Sequence, residues 1–424
     1  MLLAFRLRNY RSFRDECTLS MVASTDKDLT DTNTFALALP GISRALRSAA
    51  IYGANASGKS NLLKALALMR GVVVESFALQ PGQQYYVQPF RLDAATATEP
   101  TMFEAEILID GARYQYGFEF TQQAIVAEWL NVYQKAKPQN WFDRKTDLAT
   151  GKVSVITGTH LTGQKRVWAE ATRPNALFLS TAAQFNSEQL QSLFAWFANN
   201  LVVMPEGGLI SPEFSTGYIQ DAVRNKAIVS MMSAADIAIS SITTVRQRGF
   251  EHHVELDPTG RPAARMDERD LVLPRFMHSS GKLDVEFDFQ DESFGSQKLF
   301  ALAGPLLDII ANRKVLVIDE LDRSLHPLLM RQIVKMFQDP RQWQRGGQLI
   351  FSTHDTSIMD PTIMRRDQFW FTEKRADQSS VLVPLTEFSP RKGEALEKGY
   401  LSGRYGGVPI LEDGLLHEVG RAEQ

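Results

Sequence analysis

Two stretches of the chain have the residue types and spacing that act on phosphate groups. The first, Gly53-Ala54-Asn55-Ala56-Ser57-Gly58-Lys59-Ser60, fits G-x-x-x-x-G-K-[ST]. Its glycines let backbone N–H groups turn inward around an anion, Lys59 reaches the terminal phosphates, and the Ser60 hydroxyl can ligate Mg²⁺ at the start of a helix. The second, Lys314-Val315-Leu316-Val317-Ile318-Asp319-Glu320, is an apolar run that ends in two adjacent carboxylates. Neighbouring residues at a strand end point in different directions, so Asp319 is placed for the metal and Glu320 for the attacking water. General-base hydrolysis of a nucleoside triphosphate requires that division of labour.

These groups need a scaffold of strands and helices. The apolar run Ala49 to Tyr52 leads into the glycine loop, and Asn61 to Met69 follows as a helix former with apolar residues at 3.6-residue spacing. Strand, loop and helix are the context a phosphate loop requires. Leu3, Phe5 and Leu7 alternate as a strand, and with Thr18 to Val22 they predict an opening hairpin. Phe103 to Phe120 alternates on both sides of Asp110-Gly111, which predicts a second hairpin. From about 160 to 245 the pattern turns helical, clearest over Ser187 to Asn199 and Ile219 to Ile239, with a Gly/Pro-rich connection at Pro205 to Gly217. Leu283 to Phe289 then reads as a strand, Phe294 to Ala311 as a helix and Lys314 to Ile318 as a buried strand.

Composition bounds the rest. The chain has 424 residues, with 46 Lys plus Arg against 49 Asp plus Glu and a formal net charge of −3, and 44% of its residues are hydrophobic. That is ordinary globular usage for two or three units, and it removes any whole-chain electrostatic case for nucleic acid. Cys17 is the lone cysteine, so no intrachain disulfide forms and a cytoplasmic location is expected. Arg6, Arg8, Arg11 and Arg14 interrupt the start of the chain where a signal peptide needs an apolar run, and no membrane span is expected.

Between the two phosphate-directed stretches lies Asp291-Glu292-Ser293-Phe294-Gly295-Ser296-Gln297-Lys298. Here the chain resembles the ABC-type ATPases, including the SMC, RecF and OLD relatives. The resemblance implies an α/β fold, an ABC-type P-loop head with a mixed-sheet core and an antiparallel β-subdomain, plus an inserted mainly helical subdomain. Residues 1–160 would carry the phosphate loop and antiparallel subsheet, 161–280 the helical insertion, and 281–424 the signature, the acidic strand end, the D-loop and the switch histidine. It further implies that ATP is held by Gly53, Asn55, Ser57, Gly58, Lys59, Ser60 and Asn61, with Mg²⁺ on Ser60 and Asp319. Ser293 and Gly295 look like the Ser-x-Gly signature that contacts the γ-phosphate held by another subunit, with Phe294 and Ser296 departing from the usual pattern. Asp322 looks like the D-loop residue, His354 in Leu349 to Asp355 like the switch histidine, and Gln88 like the Q-loop glutamine. Glu320 and His354 would be the catalytic pair.

A closer resemblance is to the stand-alone AAA ATPases of bacterial anti-phage defence loci, of the RloA and AbiL type and related to the PARIS ATPase. It is carried by RLRNYRSFRD, GANASGKSNLLKAL, PFRLD, the FEAEILIDGARYQYGFEF hairpin, DELDRSLHP and YLSGRYGGVP. It implies a slow ATPase that closes into a head-to-tail homodimer or higher homo-oligomer and controls a separately encoded effector, often a TOPRIM nuclease. A RecF-like repair ATPase acting directly on DNA is the alternative. No sustained heptads are present for an SMC arm, and the residues after His354 are too few for a fused nuclease, so a nuclease is expected only as a partner.

Other features take plainer readings. His252-His253 reads as a surface strand rather than a zinc site, and Trp196 with Phe194 and Phe197 as core. Arg341, Arg345, Arg365, Arg366, Lys374 and Arg375 form a candidate basic face for DNA, against a reading as solvated surface.

Overall fold

Three apolar runs without alternation, Ser48–Gly53, Val315–Ile318 and Gln348–Ser352, become neighbouring parallel strands buried along their whole length. A strand covered on both faces has no side left for polar residues, so its sequence cannot alternate. The computed structural model describes residues 1–204, 211–256, 262–281, 283–323, 325–338, 346–391 and 393–408. Within them the chain divides into two units, Met1–Glu206 with Asn312–Leu321 and Arg331–Gln424, and Gly207–Ala311 with Asp322–Met330.

The first unit is a mixed α/β head, the fold class expected from the sequence. Its core sheet runs Leu201–Met204, Val315–Ile318, Gln348–Ser352, Ser48–Gly53, Phe369–Lys374 and Ser380–Pro384. The first five are parallel and the last is antiparallel. The helix Lys59–Glu75 buries Leu62, Leu63, Leu66, Met69 and Val73 in the core, each side chain contributing about 1.5–3 kcal/mol.

A second sheet of this unit, antiparallel throughout, runs Val153–Thr157, Gln139–Thr146, Ile125–Tyr133, Ala112–Phe120, Thr101–Ile109, Leu2–Arg8 and Cys17–Ser20. Both expected hairpins are there. Asp110 (φ 47°) and Gly111 (φ 83°) make the tight turn of the longer one, where two positive φ values match the twist of the strands. One face packs Phe5, Phe103, Phe118 and Phe120 ring on ring. Among the residues between them, Arg6 pairs with Glu104 and Glu106, Arg8 with Glu119 and Arg113 with Glu106, so alternation sorts rings from charges. Buried Glu128 accepts from the N–H groups of Phe178 (2.6 Å) and Leu179 (3.0 Å) and from the Tyr116 hydroxyl (3.0 Å). Burial raises its pKa, and these donors with Arg144 oppose the shift.

Residues 161–280 do not form one helical insertion. Helices Lys165–Ala171, Phe178–Gln184 and Glu188–Ala195 belong to the first unit, and Trp196 and Phe197 lie in its core with Phe194 packed against it. The second unit holds helices Glu213–Tyr218, Ala222–Ala234 and Phe294–Ala311, and a sheet of Ile239–Leu256, Pro262–Ser279 and Asp284–Asp288. The helix start inside the expected connection at 205–217 is Glu213; residues 205–210 lie outside the described ones. Ile239 and Ile242 are both buried because the register shifts between Ile239 and Ser241. A bulge thus gives a strand the three-residue apolar spacing of a helix. His252 and His253 fall on this strand, opposite Met266 and Arg265.

Cys17 is half-buried against the core, and burial pushes its thiol up to about 12. Among the described residues no helix is long and apolar enough to cross a membrane.

Candidate active site

The parallel strands all point one way, so Gly53, Asp319 and the residues after Ser352 emerge at one sheet edge. Ligands of open α/β sheets bind at that edge. Gly53 has φ 152° and Gly58 φ 120°. A Cβ on Gly53 would overlap the Thr372 hydroxyl, and one on Gly58 would stand 2.6 Å from Ser380 Oγ. Both positions therefore need glycine for conformation and for space.

The neighbouring strands brace the loop. Ser57 Oγ and Thr372 Oγ1 are 2.6 Å apart, and Ser380 Oγ donates to the Ser57 carbonyl at 2.6 Å. The Ser380 N–H donates to the Ser12 carbonyl (2.6 Å), and Asn61 Nδ2 donates to Ser12 Oγ (2.9 Å), so Asn61 faces the brace. Asn55 is exposed at the loop tip. Lys59 is buried, and its Nζ donates to the carbonyls of Gly53 (2.7 Å) and Ala54 (3.1 Å), which fixes the ammonium inside the loop.

Ser60 and Asp319 line the same cavity of about 250 Å³, with Lys64, Arg70, Val203 and Met204 on its other walls. The Ser352 hydroxyl donates to Asp319 Oδ1 and accepts from the Glu320 N–H at 2.8 Å. One side chain thus orients the backbone and carboxylate of the acidic pair. Glu320 stands at φ 51°, a left-handed conformation that costs a side-chain-bearing residue about 1 kcal/mol and turns it away from the strand line. A hydroxyl and a carboxylate on one wall make an all-oxygen donor set of the kind Mg²⁺ takes.

His354 is exposed two residues past the strand Gln348–Ser352, and the Thr353 N–H before it donates to the Ile51 carbonyl (3.2 Å). The strand before the glycine loop thereby holds the segment that carries His354. Gln88 lies on an irregular segment, where its Nε2 donates to the Tyr86 hydroxyl (3.0 Å) and its carbonyl accepts from the Arg11 N–H (2.8 Å). The cavity with Ser60 and Asp319 is lined by Met204, not by Gln88.

Ser293, Gly295 and Asp322 belong to the second unit. Ser293 caps the helix Phe294–Ala311, its Oγ accepting from the Ser296 N–H (3.1 Å), and Phe294 beside it is 57% exposed. Asp322 stands in a turn closed by the Leu325 N–H on its carbonyl (3.0 Å). Of the candidate basic face, Arg365 is buried against Asp367, Arg366 pairs with Asp26 and Arg375 with Asp15. Arg341 and Arg345 lie outside the described residues.

Sequence reasoning missed Ser12, Ser352, Thr372 and Ser380. Polar residues inside or beside apolar strands, as in Leu349-Ile350-Phe351-Ser352, were the available signal.

A braced glycine loop, a buried lysine and an all-oxygen pair at the edge of a parallel sheet define a P-loop nucleoside triphosphatase head. Residues 48–360 match the family described as "AAA domain, putative AbiEii toxin, Type IV TA system", and the chain belongs to that family of ATPases. No curated protein matches it. Among solved structures it is similar to the SMC head domain from Thermotoga maritima, at TM-score 0.38 and 13% identity over 90% of this chain and 98% of that one. It is also similar to an SMC head bound to the C-winged helix domain of ScpA, at TM-score 0.43 and 14% identity over 90% of this chain and 96% of that one.

Proposed function

We propose that the chain binds and hydrolyses ATP, and that the ATP-bound form is a head-to-tail homodimer controlling a separately encoded effector in bacterial anti-phage defence. The observation that carries the ATPase reading is the shared cavity of Ser60 and Asp319 below a phosphate loop that already holds Lys59 inside it. Bound Mg²⁺ would neutralise charge between the β- and γ-phosphates. The loop N–H groups cradle the phosphates, Lys59 exchanges its carbonyl partners for phosphate oxygens, and Ser352 keeps Asp319 turned toward the metal position. Glu320 takes a proton from the attacking water as general base, and the His354 imidazole donates to the γ-phosphate.

Ser293, Gly295 and Asp322 supply the second half of the site to a partner copy in this reading. The exposed aromatic at Phe294 and a helix N-terminus presented with its cap support a contact made outside the chain. The family description, "putative AbiEii toxin, Type IV TA system", gives the AAA domain itself as one part of a two-component system and so supports a separately encoded partner, without naming an effector. ATP occupancy then selects the conformation that restrains the effector, and a trigger shifts the population.

The test is affinity capture of tagged Glu320→Gln chain from its native cells with ATP, after nuclease treatment. Recovery of a stoichiometric partner with nuclease-type acidic motifs is expected. Recovery of repair or replication proteins instead, or of nothing once DNA is digested, would replace the effector with DNA as the object of the ATPase.

A further inference from the structure

The run Tyr400 to Gly407 takes no part in the chemistry above, yet it packs directly on the first glycine of the phosphate loop. A Cβ on Gly407 would stand 3.4 Å from the Gly53 Cα and 3.6 Å from the Tyr400 ring. Gly407 has φ 68°, a left-handed conformation that favours glycine, and it lies at ordinary contact distance from Gly53. Two hydrogen bonds hold its peptide groups: its N–H donates to Glu373 Oε1 (2.7 Å), and its carbonyl accepts from the Tyr400 hydroxyl (3.2 Å).

Glu373 follows Thr372 on one strand. Thr372 braces Ser57 of the loop, and Glu373 pins the run lying over it. The Tyr400 ring meets Tyr52 edge-on at 5.4 Å and stacks on Phe371 at 5.5 Å, with Tyr405 stacked on the same Phe371 at 6.0 Å. The Tyr405 hydroxyl donates to Glu394 Oε1 (2.6 Å) and closes the segment on itself.

The same short helix, Leu396–Leu401, reaches the switch segment. Glu397 Oε1 accepts from Thr356 Oγ1 at 2.5 Å, two residues past His354, and the Tyr52 hydroxyl donates to the Asp355 carbonyl at 2.7 Å. Tyr52-Gly53 is therefore held between the switch segment and the tail.

We propose that Glu397 to Gly407 is a strap that positions the first peptide of the phosphate loop and ties it to the switch-histidine segment. Tyr400 and Gly407 are positioning residues for ATP, and Glu397 is one for the step after binding. This rests on the ATPase reading. Its physical basis is the Gly53 carbonyl, which anchors Lys59: when the Gly53 peptide shifts, the lysine shifts with it. Phosphoryl transfer depends on positioning, where a displacement of about 1 Å costs roughly 100-fold.

The test uses the full chain as wild type, Tyr400→Phe and Glu397→Ala, with ATP·Mg²⁺ titrated by calorimetry, hydrolysis followed at steady state and thermal unfolding recorded. Tyr400→Phe keeps the ring contacts and removes the hydroxyl. It is expected to weaken ATP binding about 5-fold, the cost of roughly one neutral hydrogen bond, with the melting temperature preserved. Glu397→Ala is expected to leave affinity within about twofold and to lower kcat several-fold, since it removes the acceptor of the Thr356 hydroxyl and alters the switch side alone. Wild-type values for both variants, or losses that follow a lowered melting temperature, would overturn the strap while leaving the ATPase reading intact. Wild-type chain that binds no ATP would overturn both.

Discussion

The phosphate loop and the signature turn are both glycine-containing entries to a helix, and they are held very differently. In the loop, Ser57, Lys59 and Asn61 each have partners from the loop or from segments far away in sequence, and Gly53 and Gly58 have no room for a Cβ. At the signature turn, the Ser293 cap and its contact with Ser296 are local, and Phe294 projects into solvent. In the proposed reading the loop is built in advance to receive an anion, and the exposed turn presents its groups to a partner copy. Preorganisation in one place and exposure in the other is what a site split between two copies requires.

The largest effect should come from the preorganised side. Lys59→Ala removes the cation whose two carbonyl contacts fill the loop, and calorimetry should register loss of ATP binding by at least about 100-fold, the usual size for a preorganised charge on phosphate. Retained micromolar binding would show that the loop does not hold the phosphates. Glu320→Gln should bind ATP with unchanged affinity while turnover falls by about 100-fold or more, the share of a general base, and closed dimers should accumulate in sedimentation. Normal turnover would remove Glu320 as the base and leave its left-handed backbone without a catalytic reason.

Residues adjacent in sequence were legible, and those brought together by sheet register were not. The loop, the acidic strand end, both hairpins and the helix Phe294–Ala311 follow from local patterns. Ser352 meets Asp319 because two parallel strands lie side by side, and Thr372 meets Ser57 because the strand carrying it flanks the other edge of Ser48–Gly53. A polar residue in an apolar strand marks Ser352 and Thr372 as needing partners, but nothing local says which. The long hairpin from Ile239 to Ser279 was legible only around His252-His253; at its start a bulge puts Ile239 and Ile242 in the core at a helix-like spacing. Gln88 matches a Q-loop glutamine by resemblance alone, whereas the cavity wall beside Asp319 is the strand ending at Met204.

On the exposed side, the contrast sharpens at Ser293. A helix cap and a γ-phosphate contact ask for the same hydroxyl, but Ser293→Asp separates them, because aspartate caps as well as serine and adds a negative charge. Unchanged thermal stability with hydrolysis and dimerisation reduced about tenfold or more, from like-charge repulsion against phosphate, is expected. Full activity in Ser293→Asp would make the residue a cap and nothing more, and the comparison between loop and turn would lose its functional meaning.

The smallest effect belongs to Ser352→Ala. It leaves every proposed ATP ligand in place and removes the hydroxyl shared by Asp319 and the Glu320 N–H, so ATP binding should hold while kcat falls about 5- to 10-fold, the worth of roughly 1 kcal/mol of lost hydrogen bonding. Titration of Mg²⁺ at saturating ATP locates the loss. A raised metal requirement assigns it to Asp319, since a carboxylate freed from Ser352 no longer faces Ser60 across the cavity. An unchanged metal requirement with lower kcat assigns it to Glu320, whose N–H anchor is the other half of the same contact. Activity equal to wild type would mean that the strand end holds its two carboxylates by backbone geometry alone, and the brace on that side of the site would contribute only to folding.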